Sequence, residues 1–83
     1  MNKIYVNVFV PTLDRSFDIK LPINLEMKYV VENLQKAISE ITEEAYVINE
    51  NVKLLDKNTG DLINLNNIVK YSGLKNGSSI MLF

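Results

Sequence analysis

The chain has 83 residues, 47% of them apolar, which suits one domain with its own core. Nine Lys and Arg stand against ten Asp and Glu for a formal net charge of −1, and the basic residues are scattered singly from Lys3 to Lys75. Nucleic acid needs a clustered basic face, so none is expected as a partner.

Ile4, Val6, Val8 and Val10 alternate with Tyr5, Asn7 and Phe9, a period of two that predicts a half-buried strand over Ile4–Val10, closed by Pro11. After a turn at Pro11–Arg15, Phe17, Ile19 and Leu21 share one face of a second strand, with Ser16, Asp18 and Lys20 on the other. The two strands make a hairpin.

Pro22 ends the ladder, Asn24 is the expected N-cap of a helix, and Glu26 falls in its first turn, where its charge suits the helix dipole. Met27, Val30, Val31, Leu34, Ala37, Ile38 and Ile41 recur at spacings of three and four, the pattern of one amphipathic helix of about four turns. Lys28, Glu32, Gln35, Lys36, Ser39 and Glu40 take the wet side, and Glu32 with Lys36 forms a favourably oriented i,i+4 pair.

Thr42–Asn51 reads as an acidic loop carrying Glu43, Glu44 and Glu50, with Tyr46, Val47 and Ile48 able to pack beneath it. Val52–Asp56 predicts a third strand, Lys57–Gly60 a turn and Asp61–Ile63 a short fourth strand. Asn64 is placed to cap a brief helical turn containing Ile68 and Val69, Gly73 to end it, and Leu74 to return to the core. Asn76-Gly77 signals a tight turn before the last strand, Ser79–Phe83.

One helix can cover only one face of a sheet, so this order of elements leaves few arrangements. The expected fold is α+β: a β-grasp with a mixed sheet of four to five strands, the first and last strands parallel neighbours at its centre, and the helix across one face. Residues 1–83 form a single domain, with no repeat or linker.

The order of elements, together with Leu65, Val69, Tyr71, Gly73-Leu74-Lys75-Asn76-Gly77, Ile80 and Leu82, resembles the ubiquitin superfamily over essentially the whole chain. Within it the sequence is most similar to the small ubiquitin-like proteins of type VII secretion systems in Gram-positive bacteria, the YukD/EsaB-type family. The likeness rests on length, on Phe17-Asp18-Ile19 in the hairpin, and on the aliphatic strand at the end. The acidic stretch around Glu43, Glu44 and Glu50 is a departure, longer than is usual in that family.

This resemblance implies a non-enzymatic cytosolic accessory or regulatory component that contacts membrane-embedded or ATPase subunits of the secretion machinery, with no cofactor. It carries over no residue-level functional motif. An alternative is a ubiquitin-like modifier or sulfur carrier, which acts through a flexible Gly-Gly tail; Phe83 in a paired strand is not such a tail, and the expectation is a protein that binds rather than one that is attached. No stretch reaches the roughly 20 apolar residues of a membrane span, and no apolar signal core follows Met1-Asn2-Lys3. The expected location is cytoplasmic, with recruitment to the inner membrane face through a protein partner.

Residue chemistry points the same way. His, Cys and Trp are absent, which removes the usual neutral-pH acid–base group, the thiolate nucleophile, and the zinc and iron–sulfur ligands. The close carboxylate sets, Asp14 with Asp18 and Glu40 with Glu43 and Glu44, fall where solvated turns and helix ends are expected. Asp56-Lys57-Asn58-Thr59-Gly60-Asp61 fails as a calcium loop: its glycine comes one place early, and Asn67 stands where a bidentate Glu belongs.

The candidate site is instead a surface. If Val6, Val8, Ile80 and Leu82 face the helix, alternation turns Tyr5, Met81 and Phe83 to the open face of the sheet, where Leu55 joins them. These four are the expected protein-binding residues. Unpaired edge strands offer a second route, self-association.

Overall fold

Alternation in the first 22 residues becomes a two-stranded antiparallel pair in the computed structural model, which describes residues 2–83. Strand β1 (Lys3–Val10) pairs with β2 (Arg15–Pro22) from Lys3 opposite Pro22 to Val10 opposite Arg15. A 3-10 turn at Pro11–Leu13 joins them and ends on Asp14 in the left-handed region, with φ 51°. Helix α1 spans Met27–Ile41, β3 is Leu54–Asp56, and a second 3-10 turn at Val69–Tyr71 precedes β4 (Ser78–Leu82).

The sheet order is β2-β1-β4-β3, with β4 parallel to β1 and antiparallel to β3. This is the expected α+β arrangement, with four strands in the sheet. The predicted fourth strand at Asp61–Ile63 contracts to a single bridge, Leu62 opposite Leu55, beside bonds from Ile63 N–H to Leu54 O and from Asp56 N–H to Asp61 O. The third strand begins at Leu54 rather than Val52, and the last runs one residue earlier than expected.

One apolar layer joins helix and sheet. Met27, Val30, Val31, Leu34 and Ile38 of α1 are buried in one cluster with Ile4, Val6, Val8, Val10, Ile80, Leu82 and Leu54 of the strands. Burying such side chains contributes about 1.5 to 3 kcal/mol each before entropy is counted. Ile41, expected on this stripe, is exposed at the last helical position.

Three local expectations are not met. Asn24 does not cap α1; Glu26 holds the N-cap position with no side-chain cap bond. The first helical amides are met by main chain from far along the sequence, Met27 N–H donating to Asn67 O at 2.7 Å and Lys28 N–H to Leu65 O at 2.9 Å. Asn64 accepts from Asn66 N–H in its own turn instead of capping the 3-10 segment. The ion pair found among the described residues is Lys28 with Glu26 at 3.4 Å, not Glu32 with Lys36.

Gln35, expected on the wet side of the helix, is 4% exposed. Its Oε1 accepts from Tyr46 O–H at 2.7 Å and Asn49 N–H at 2.9 Å, while its Nε2 donates to Asn49 O at 3.0 Å. One amide thus pins the acidic loop against the helix, and Tyr46 is buried beneath it as the sequence allowed, whereas Val47 and Ile48 are exposed.

Candidate functional site

Alternation along each strand assigns the second face of the sheet. With Val6, Val8, Ile80, Leu82 and Leu54 buried against α1, the neighbours Tyr5, Asn7, Phe9, Ser79, Met81 and Leu55 turn outward. Register then decides which of them touch. Phe9 of β1 lies beside Met81 of β4, and Met81 lies opposite Leu55 of β3. Leu62 bridges to the far side of Leu55 and is 58% exposed. The result is an apolar row, Phe9–Met81–Leu55–Leu62, crossing the sheet at steps of about 4.8 Å.

Phe83 extends this row along β4. Its N–H donates to Lys53 O at 2.9 Å and its carbonyl accepts from Lys53 N–H, so its main chain is paired while its side chain stays 48% exposed. Leu55, Met81 and Phe83 are therefore brought together as the sequence implied.

Tyr5 is not. It is 55% exposed on the same face, four residues from Phe9, or about 13 Å along the strand. Asn7, Ser79 and Asp18 lie between, and Asn7 Nδ2 donates to Asp18 Oδ1 at 3.1 Å. The main chain of Tyr5 is bound to the turn before β4: its N–H donates to Asn76 Oδ1 at 2.7 Å, and its carbonyl accepts from Gly77 N–H at 2.8 Å.

Phe9 and Leu62 complete the row, and sequence reasoning did not include them. For Phe9 the signal was present, since it alternates onto the open face with Tyr5. What was missing was the parallel register that sets it beside Met81. Leu62 lay hidden because a single bridge leaves almost no pattern.

Lysines frame the row. Lys53 and Lys57 stand opposite Phe83 and Ser79, and the Lys57 ammonium reaches to 5.1 Å from the Phe9 ring centre. At the other end the Lys20 ammonium lies 5.2 Å from the Tyr5 ring. Such cation–π contacts hold a charge over an aromatic face without neutralising it.

The remaining polar groups have structural partners. Buried Asp56 accepts from Asn58 N–H within its turn, and buried Ser78 accepts from Lys75 N–H. Among the described residues no buried side-chain polar atom lacks a hydrogen-bond partner, and no cluster of three or more acidic groups is placed to hold a metal ion. Asp14, Asp18, Glu40, Glu43 and Glu44, the close carboxylates of the sequence, are all exposed. Burial raises the Tyr46 phenol above its ordinary pKa of 10.0, a consequence of its place under the loop.

A groove of about 360 Å³ runs beside α1, floored by Val31, Ile48, Val52 and Leu65 and rimmed by Lys28, Glu32 and Lys36. No helix among the described residues is long and apolar enough to cross a membrane.

No protein-family profile and no curated protein matches the sequence. Solved structures do match. The ubiquitin-like domain of the Mycobacterium tuberculosis type VII secretion protein ECCD1 superposes with a TM-score of 0.76 at 18% identity, covering 99% of this chain and 98% of that one. An Arabidopsis thaliana ubiquitin-like domain gives 0.67 at 17% identity, over all of this chain and 78% of its own.

The fold is that of a ubiquitin-like domain. A chain of the ESX-5 inner membrane complex also contains it, with a TM-score of 0.80 at 12% identity; the present chain spans 21% of that chain's length. At these identities the likeness is one of fold. What this ubiquitin-like domain does must be argued from its own surface.

Proposed function

We propose that this ubiquitin-like domain is a non-enzymatic protein-interaction module serving as an accessory or regulatory component of a bacterial type VII secretion system. It acts on the cytoplasmic side and binds membrane or ATPase subunits of the machinery through the open face of its sheet. The observation that carries this reading is the Phe9–Met81–Leu55–Leu62 row, three apolar side chains from separate strands and a fourth from a bridging loop, aligned on a face that no helix covers. A contiguous apolar surface of this kind marks a binding site more often than a scatter of single residues does. Likeness to the ECCD1 domain over nearly the whole of both chains supports the assignment to secretion.

Affinity capture from the native host, followed by identification of the bound proteins, tests it. Secretion subunits should be retained by the wild-type chain and lost with the Met81→Asp, Leu55→Asp double variant, whose fold is checked by circular dichroism. Capture that persists unchanged in the folded double variant excludes the open face and directs attention to the free edge of β2. A covalent adduct formed with ATP and lysate would overturn the reading in favour of a modifier.

A further inference from the structure

We infer that the partner segment docked on the open face is acidic as well as apolar, a stretch of protein in which Glu or Asp flanks Leu, Phe or similar side chains. This deepens the proposed function and rests on that face being the binding surface. The argument comes from how the fold sorts charge. Lys3, Lys20, Lys53 and Lys57 occupy open-face positions, and Asp18 is the one carboxylate on its strand positions. The face thus carries three excess positive charges in a chain of formal net charge −1, which leaves four excess negative charges for the rest.

Lysines scattered through the sequence have become one basic frame. None of the four has a carboxylate within ion-pair distance among the described residues, the pair found there being Lys28 with Glu26 on the other side of the molecule. Lys57 and Lys20 are held over Phe9 and Tyr5 instead, so their charge stays available to an incoming anion. Charge complementarity of this kind selects partners and speeds encounter.

Physical form favours a protein over other anions. Met81, Leu55 and Phe9 are half-buried in the sheet rather than projecting, so the middle of the row offers a shallow seat for the side chains of a peptide. The Lys57 ammonium already lies over the Phe9 ring, so that ring is occupied against a stacking nucleobase.

The test titrates the intact chain with a short synthetic peptide carrying Leu and Phe among Glu residues, and with a twin bearing Gln at every Glu, read by fluorescence anisotropy. The acidic peptide should bind about five- to tenfold tighter than its twin, the effect of a few exposed ion pairs, and the gap should close in high salt. Lys53→Gln with Lys57→Gln should erase the gap, while Lys28→Gln with Lys36→Gln on the helix should preserve it. Equal affinity for the two peptides, or no binding of either, overturns the inference. So does capture of phosphatidylglycerol vesicles through the same lysines in place of peptide.

Met81→Asp separates the two levels of argument, with Leu62→Asp as a gentler second variant at an exposed position. If both peptides bind equally and both variants abolish binding, the charge inference fails and the face stands. If both peptides remain bound to both folded variants, the face itself is wrong.

Discussion

Phe9 and Met81 are register partners across the parallel β1–β4 pair, so the first and last strands of the chain jointly build one end of the open-face apolar row. Tyr5, on the same strand and the same face, lies outside it. Phe9→Ser should therefore weaken partner capture by about tenfold, the usual effect of truncating an aromatic that packs within an interface, while Tyr5→Ser should change it by less than about threefold. Comparing the affinities of the two folded variants for the captured subunit checks this. An equal loss for both would mean that the interface extends the length of β1.

Gln35 and Asn49 form the other relationship on which the architecture turns. Gln35→Leu would fill similar volume but leave Tyr46 O–H and the Asn49 main chain without partners under the loop. Stranding the buried Tyr46 O–H costs about 1 to 3 kcal/mol, so urea denaturation should show a loss in that range. Hydrogen exchange at the Asn49 amide should accelerate with it. An unchanged midpoint would mean that water replaces the lost bonds.

These two sites mark where sequence reasoning succeeded and where it stopped. Alternation in Ile4–Val10 and Phe17–Leu21, and the three-and-four spacing from Met27 to Ile38, are local patterns that burial on one face imposes directly, and the elements formed where they predict. The helix start was misplaced at Asn24 because its amides are satisfied by Leu65 and Asn67, some forty residues later, and no short-range pattern reports such a bond. Gln35 was assigned to solvent by its polarity; it is buried because three bonds to the loop compensate its desolvation. The site was legible in part for the same reason: alternation revealed the face, but only pairing register reveals neighbours. The charge frame was invisible in the sequence, where the lysines stand 17 or more positions apart except for Lys53 and Lys57.

Tyr46 makes stability depend on alkaline pH. Desolvation raises its folded pKa above the ordinary 10.0, so the folded state favours the neutral phenol. The linked stability is fully present below pH 10 and is lost as pH rises from there through the folded pKa. Titration of Tyr46 should accordingly leave the unfolding free energy unchanged near neutral pH and lower it in strongly alkaline solution. Tyr46→Phe, which keeps the ring and leaves Gln35 Oε1 still accepting from Asn49 N–H, should flatten that alkaline decline. A decline of the same steepness in the Phe variant would assign it to other groups.

Left-handed backbone positions make opposite predictions according to who occupies them. Gly77 has φ +91° in the turn that delivers β4 alongside β1, and a Cβ there would meet nothing within 4 Å. The cost of Gly77→Ala is therefore conformational rather than steric contact with neighbours, about 1 to 2 kcal/mol. Glu44, at φ +69° just beyond α1, already bears that cost. Glu44→Gly should raise stability by up to about 1 kcal/mol, the relief of backbone strain less the entropy that glycine adds to the unfolded chain. Denaturant midpoints moving in opposite directions for the two variants would confirm that backbone conformation decides both; a destabilised Glu44→Gly would show that the acidic loop draws support from that side chain.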